Sequence, residues 1–245
     1  MSRFKLTIEY DGTKFVGWQR QINGLGVQQV LEEAVTAFCG ETINAFAAGR
    51  TDTGVHALGQ VAHIDIEKET DADTVRDALN YHMRPHRVVI LKSESVSEDF
   101  HARFSAKERI YHYKIINRRS PLAIQMNRAL WVSVLLDTDA MHEAAQVLVG
   151  KHDFTSFRAV ACQADSPEKT LNALDVVREG ETVIITARAR SFLHHQVRNM
   201  VGTLKLVGEG KWTAKDVSDA LAARDRSAAG MNVPPGGLYF QEVIY

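Results

Sequence analysis

Hydrophobic and polar positions alternate from the first residues of the chain. Phe4, Leu6, Ile8 and Tyr10 fall on one side of the pattern and Lys5, Thr7 and Glu9 on the other, the period of two that a half-buried strand produces. The run stops at an Asp11-Gly12 turn. From Val27 the period lengthens, with Val27, Val30, Leu31, Ala34, Val35 and Phe38 at helical spacing and Gly40 where a C-terminal cap belongs. Strands are predicted over 42–48 and 60–67, a helix over 72–83 and a strand over 88–91, giving a β-α-β-β-α-β order. A similar order then begins again. It comprises a strand over 110–117, a helix over 139–149 and two strands over 171–178 and 182–189, joined at the Glu179-Gly180 turn. Helices over 193–207 and 214–224 follow, the second opened by a Thr213/Asp216 capping box, and a strand over 238–245 closes the chain. The expected fold is α+β: two related halves, 1–104 and 105–245, with joined sheets and a cleft at their junction.

Composition narrows the class. The 245 residues are 45% hydrophobic and 24% charged, which suits an ordinary globular protein with a substantial core. No run approaches the ~18 apolar residues of a membrane span, and the first residues alternate instead of forming an apolar leader core. A cytoplasmic protein without a membrane partner is therefore expected. Cys39 and Cys162 have no metal-like spacing, which argues against structural zinc and agrees with a reducing compartment. No GxGxxG follows a strand, and Walker, HExxH and CxxC motifs are absent, so neither a cofactor nor a metal is expected. The net charge of −1 hides an uneven distribution. Residues 101–128 carry seven cations against one acid, Glu108, whereas residues 65–77 carry six acids against two cations. A phosphate-binding stripe and a charged, soluble edge strand both fit that asymmetry.

The stretch GRTDTGVHALGQVAHIDIE, residues 49–67, holds the clearest candidate chemistry. It sets Asp52 between Arg50 and Gly54 in a loop that runs directly into a strand. Gly54 and Gly59 permit tight backbone, and Thr51 and Thr53 can hydrogen-bond locally. Most Asp residues in such loops only turn the chain, so this segment alone does not establish catalysis. Tyr111, next to Arg109 in RIYHYKI, suits either cross-strand packing or stacking on an RNA base. On the helix predicted from Leu193, an apolar arc of Val197, Met200, Leu204 and Val207 is flanked by His194, Arg198 and Lys205. His152, Phe154, Phe157 and Arg158 form a second aromatic and basic cluster, and Arg119 extends the basic segment.

Five segments together carry a resemblance. AGRTDTGVHALGQVAHID (48–65), RFSAKERIYHY (103–113), GKHDFTSFRA (150–159), FLHHQVRNMVGTL (192–204) and PPGGLYF (234–240) resemble, in order and over nearly the whole chain, the tRNA pseudouridine synthase A family. The resemblance implies a pseudouridine synthase fold of two ferredoxin-like-related halves, with a mainly antiparallel sheet and flanking helices. It implies a cofactor-independent homodimer that isomerises uridine to pseudouridine in the anticodon stem-loop of tRNA, around positions 38 to 40. The family's catalytic Asp falls on Asp52, its base-stacking Tyr on Tyr111, its active-site Arg on Arg198 and its C-terminal Leu on Leu238. Arg50 is the alternative counter-charge or a phosphate contact, and Arg109, Arg119, His194 and Arg158 are candidate RNA-backbone contacts. Thr53, Gln196 and Gly236 stand where the family often has Ala, Met and His, departures that leave the acidic, aromatic and cationic groups in place.

The residue types suit that chemistry. The isomerisation breaks N1–C1′, turns the bound uracil and forms C5–C1′, with no atom gained or lost. Uracil leaves as a stabilised anion, so one carboxylate can serve where glycosidases use two. Asp52 would attack C1′ or abstract the 2′ proton, and the sequence does not choose between them. Two other readings compete. A non-catalytic RNA-binding protein of this fold would have no use for Asp52, and a nucleoside hydrolase would release free uracil.

Overall fold

A computed structural model describes all 245 residues. The first elements are strand β1 (Ser2–Tyr10), helix α1 (Val27–Cys39), strands β2 (Phe46–Ala47) and β3 (His56–Ile66), helix α2 (Ala72–His82) and strand β4 (Val88–Val96). Next come β5 (Glu108–Asn117), β6 (Leu130–Val132), α3 (Thr138–Gln146), β7 (Gly150–Asp153), β8 (Glu168–Glu179) and β9 (Thr182–Ala189). Helices α4 (Gln196–Gly208) and α5 (Ala214–Ala223) and strand β10 (Leu238–Ile244) complete the chain. Helices and a mainly antiparallel set of strands make the fold α+β.

The chain divides into two compact units, one of Met1–Lys107 with Tyr239–Tyr245 and one of Glu108–Leu238. The division expected at 104/105 kept the last strand with the second half. Residues 239–245 instead group with the first unit, where Tyr239 and Phe240 pair in parallel with His56 and Ala57. In that unit β1 pairs antiparallel with both β3 and β4, and β2 adds to β3. Phe4, Leu6 and Ile8 are fully buried, as are Val27, Leu31 and Val35 of α1 and Val75 and Leu79 of α2. Each such side chain contributes roughly 1.5–3 kcal/mol by burial, which outweighs the solvent-screened ion pairs of the acidic stretch, such as Arg76 with Asp73 and Asp77.

In the second unit β5, β9, β8 and β7 follow one another antiparallel, and β6 runs parallel to β5. Tyr113, Ile115, Leu171, Leu174, Val183 and Ile185 of the strands are buried, as are Met141, Ala144 and Ala145 of α3 and Met200, Val201 and Leu204 of α4. Gly40 ends α1 in the left-handed conformation that its sequence position predicts, and Thr213 and Asp216 form the expected reciprocal cap on α5. Two expectations need correction. The strand over 42–48 shrinks to Phe46–Ala47, and α4 starts at Gln196 instead of Leu193. His195 takes a left-handed backbone (φ 64), which cannot continue a helix, and the Gln196 side chain accepts the Leu193 N–H at 2.9 Å.

Candidate active site

Asp52 is half-buried in a loop that is tied down on both sides. It forms an isolated antiparallel bridge with Gly17, and its carbonyl accepts the Val55 N–H at 3.1 Å. Before it, the Thr51 carbonyl accepts from Trp18 N–H (3.0 Å), and buried Gln60 donates to the Gly49 carbonyl (2.7 Å). After it, the Thr53 hydroxyl donates to the Val16 carbonyl (2.9 Å) and Gly54 N–H to Phe15 (3.3 Å). Thr53 therefore supplies a tie that the commoner Ala could not make. Gly17, at φ 112, lies so close that a Cβ there would stand 2.5 Å from the Thr51 carbonyl oxygen, so only glycine allows the two segments to approach. His56, four residues on, is buried; its Nδ1 accepts the Gly12 N–H at 3.0 Å and its ring stacks on Tyr239 at 4.8 Å. Arg50 is exposed beside the loop.

In the second unit, Tyr111 lies buried on β5 with its ring edge-on to Phe192 at 5.2 Å. Arg198 is half-buried on α4, and its Nε donates to the Val233 carbonyl at 2.8 Å. Leu238 opens β10 and is buried. A strap of residues 226–234 lies along α4: Arg226 donates to Asn199 and to the Gly230 carbonyl, Gly230 N–H to Thr203, and Asn232 shares a hydrogen bond with His195 at 2.9 Å. The sequence reading missed Tyr113, whose hydroxyl donates to the Pro234 carbonyl at 2.7 Å. Burial raises its pKa, and the charge of Arg198 works the other way. The alternation in RIYHYKI, which puts Tyr111 and Tyr113 on one face, was the available signal. Gly236 packs on the Asn127 turn, where a Cβ would stand 2.6 Å from the Asn127 carbonyl oxygen, so the His common at this position would not fit.

The basic segment is less uniform than its sequence. Arg103, Lys107 and Arg119 are exposed. Arg118 pairs with Glu181 at 3.0 Å, and Arg109 is buried with its guanidinium donating to the Arg190 carbonyl. His194 is exposed and Arg158 half-buried, and both precede or lie outside α4, so the predicted helical alignment of His194 with Arg198 does not occur.

The comparisons with known proteins agree with this architecture. The family model described as tRNA pseudouridine synthase matches residues 6–105 and 144–245. The chain belongs to that family. A protein of Rhodospirillum centenum named tRNA pseudouridine synthase A is 63% identical over all 245 residues, with the whole of both chains covered. Proteins of the same name from Parvibaculum lavamentivorans (58%, both chains covered in full) and Paramagnetospirillum magneticum (60%, all of this chain and 96% of the relative) are similarly close. In this synthase-family chain the matched segments include the Asp52 loop, α4 with Arg198 and the strand that begins at Leu238.

Proposed function

We propose that this protein is a tRNA pseudouridine synthase that isomerises uridine to pseudouridine in the anticodon stem-loop, at positions 38, 39 or 40, acting as a homodimer in the cytoplasm. The observation that carries the reading is the intact GRTDTGVH loop, held rigid around a half-buried Asp52, in a chain related over its full length to proteins of that name. Extruding the target base from its stem costs a few kcal/mol, which contacts to the RNA backbone by Arg119, His194 and Arg158 offset.

Asp52 acts at the ribose, attacking C1′ or removing the 2′ proton, so that the N1–C1′ bond breaks and uracil departs as an anion held in place. Tyr111 stacks on the uracil while it turns, and Leu238 walls the pocket. C5 then bonds to C1′ as the Asp52–C1′ bond breaks or the 2′ proton returns. The C5 proton then leaves and N1 takes up a proton, so that no atom is gained or lost. Arg198 supplies positive charge to the departing base, and Arg50 is the alternative counter-charge or a phosphate contact. No helix is long and apolar enough to cross a membrane.

Asp52→Asn tests the assignment directly. The variant should form no pseudouridine on an unmodified tRNA transcript while binding it within a few-fold of the unsubstituted chain. Substantial residual turnover would remove Asp52 from the chemistry.

A further inference from the structure

Tyr10 ends β1, 3% exposed, with its ring tilted against Trp18 at 6.2 Å. Phenylalanine would fill that core position equally well. The hydroxyl is the feature that packing does not require, because a buried O–H must find a partner or incur a desolvation penalty. Its partner is Thr51 Oγ1, at 2.8 Å, on the residue immediately before Asp52. Thr51 is itself buried. Gln60, fully buried, also interacts with the Tyr10 hydroxyl and donates to the Gly49 carbonyl.

The side chain and the carbonyl of Thr51 are thus both fixed, by Tyr10 and by the Trp18 N–H. Asp52 is the next residue along the chain, half-buried and bridged through its backbone to Gly17. Burial pushes the Tyr10 pKa up to about 12, so the hydroxyl keeps its proton, and hence its donor, throughout any ordinary working range.

We propose that Tyr10 is a positioning residue for the Asp52 carboxylate, acting through Thr51 and never touching the substrate. The proposal rests on the catalytic assignment of Asp52. A misplacement of about 1 Å at a reacting group costs on the order of 100-fold in rate, so loss of this anchor is read in turnover more than in affinity.

The test uses the full chain in excess over an unmodified tRNA transcript, measuring the single-turnover rate at saturation and tRNA affinity separately. Tyr10→Phe and Thr51→Val should each slow the rate by roughly tenfold or more with affinity kept within about twofold. The double variant should be no slower than the worse single one, since both remove the Tyr10–Thr51 hydrogen bond. Thr51→Ser, which keeps the hydroxyl, should recover most of the rate. A Tyr10→Phe rate within twofold of the unsubstituted chain, losses that multiply in the double variant, or rate and affinity falling together would each overturn the proposal. If Tyr10→Phe does not fold, the Thr51→Val and Thr51→Ser pair reads the same bond from its other end. An unsubstituted chain that makes no pseudouridine would refute the Asp52 assignment itself, whereas an active chain indifferent to Tyr10 would refute the positioning role alone.

Discussion

His63 shows how the first unit fixes the protonation state of a buried group. It is 1% exposed on β3, its ring stacks on Phe46 at 5.1 Å, and its Nδ1 accepts the Ala102 N–H at 3.2 Å. Desolvation, and then the charges of Arg3 and His101, pull its pKa from 6.5 to about 4 against the smaller pull of Asp65. Between those values the unfolded chain binds a proton that the folded chain refuses. Stability is therefore full above pH ~6.5 and is lost as pH falls toward 4. NMR titration of the imidazole should give a midpoint near 4, and thermal unfolding should occur at lower temperature at pH 5 than at pH 7. A midpoint near 6.5 would contradict the burial account. Asp52 differs from His63 in being only half-buried, as a group that must meet a substrate should be.

Among the elements, α4 and the strap along it set the direction of Arg198. Gly202 is the point of closest approach: a Cβ there would lie 1.8 Å from the Met231 carbonyl oxygen, so the strap would have to move. The same strap carries Val233, whose carbonyl holds Arg198 Nε. Gly202→Ala should destabilise the fold by about 1–3 kcal/mol in urea unfolding and lower pseudouridine formation, because residue 202 lies one turn along the same face of α4 from Arg198. An alanine variant of unchanged stability would mean that the strap does not press on the helix. Much of this level was legible in the sequence. Strand β1 and helices α1, α2 and α5 carry a sustained period and their own caps, so pattern alone located them. Strands β6 and β7, of three and four residues, are too short to show a period and exist only because longer strands offer edges to pair with. The start of α4 was obscured because a left-handed His195 and a side-chain cap leave no mark in hydrophobic spacing. The Asp52 loop was legible as a motif, but its anchor Tyr10 lies 41 positions from Thr51, and a bond of that kind is set by strand pairing that the sequence does not display.

For the whole molecule, the residues proposed for the chemistry are Asp52 in one compact unit and Tyr111, Arg198 and Leu238 in the other. Affinity for tRNA should rest on exposed cations more than on net charge, which is only −1. Arg119→Ala should lower the slope of log K against log salt by roughly one, whereas Arg109→Ala, at a buried guanidinium held by the Arg190 carbonyl, should lower thermal stability with little change in slope. Equal slopes for Arg119→Ala and the unsubstituted chain would exclude a phosphate contact there. The central claim is the reaction itself, and nucleotide-resolution mapping of pseudouridine on an unmodified tRNA transcript incubated with the purified protein tests it most directly. The account predicts pseudouridine at one or more of positions 38 to 40 with the unsubstituted chain and none with Asp52→Asn. Transcript bound but left unmodified, or uracil released free, would contradict it.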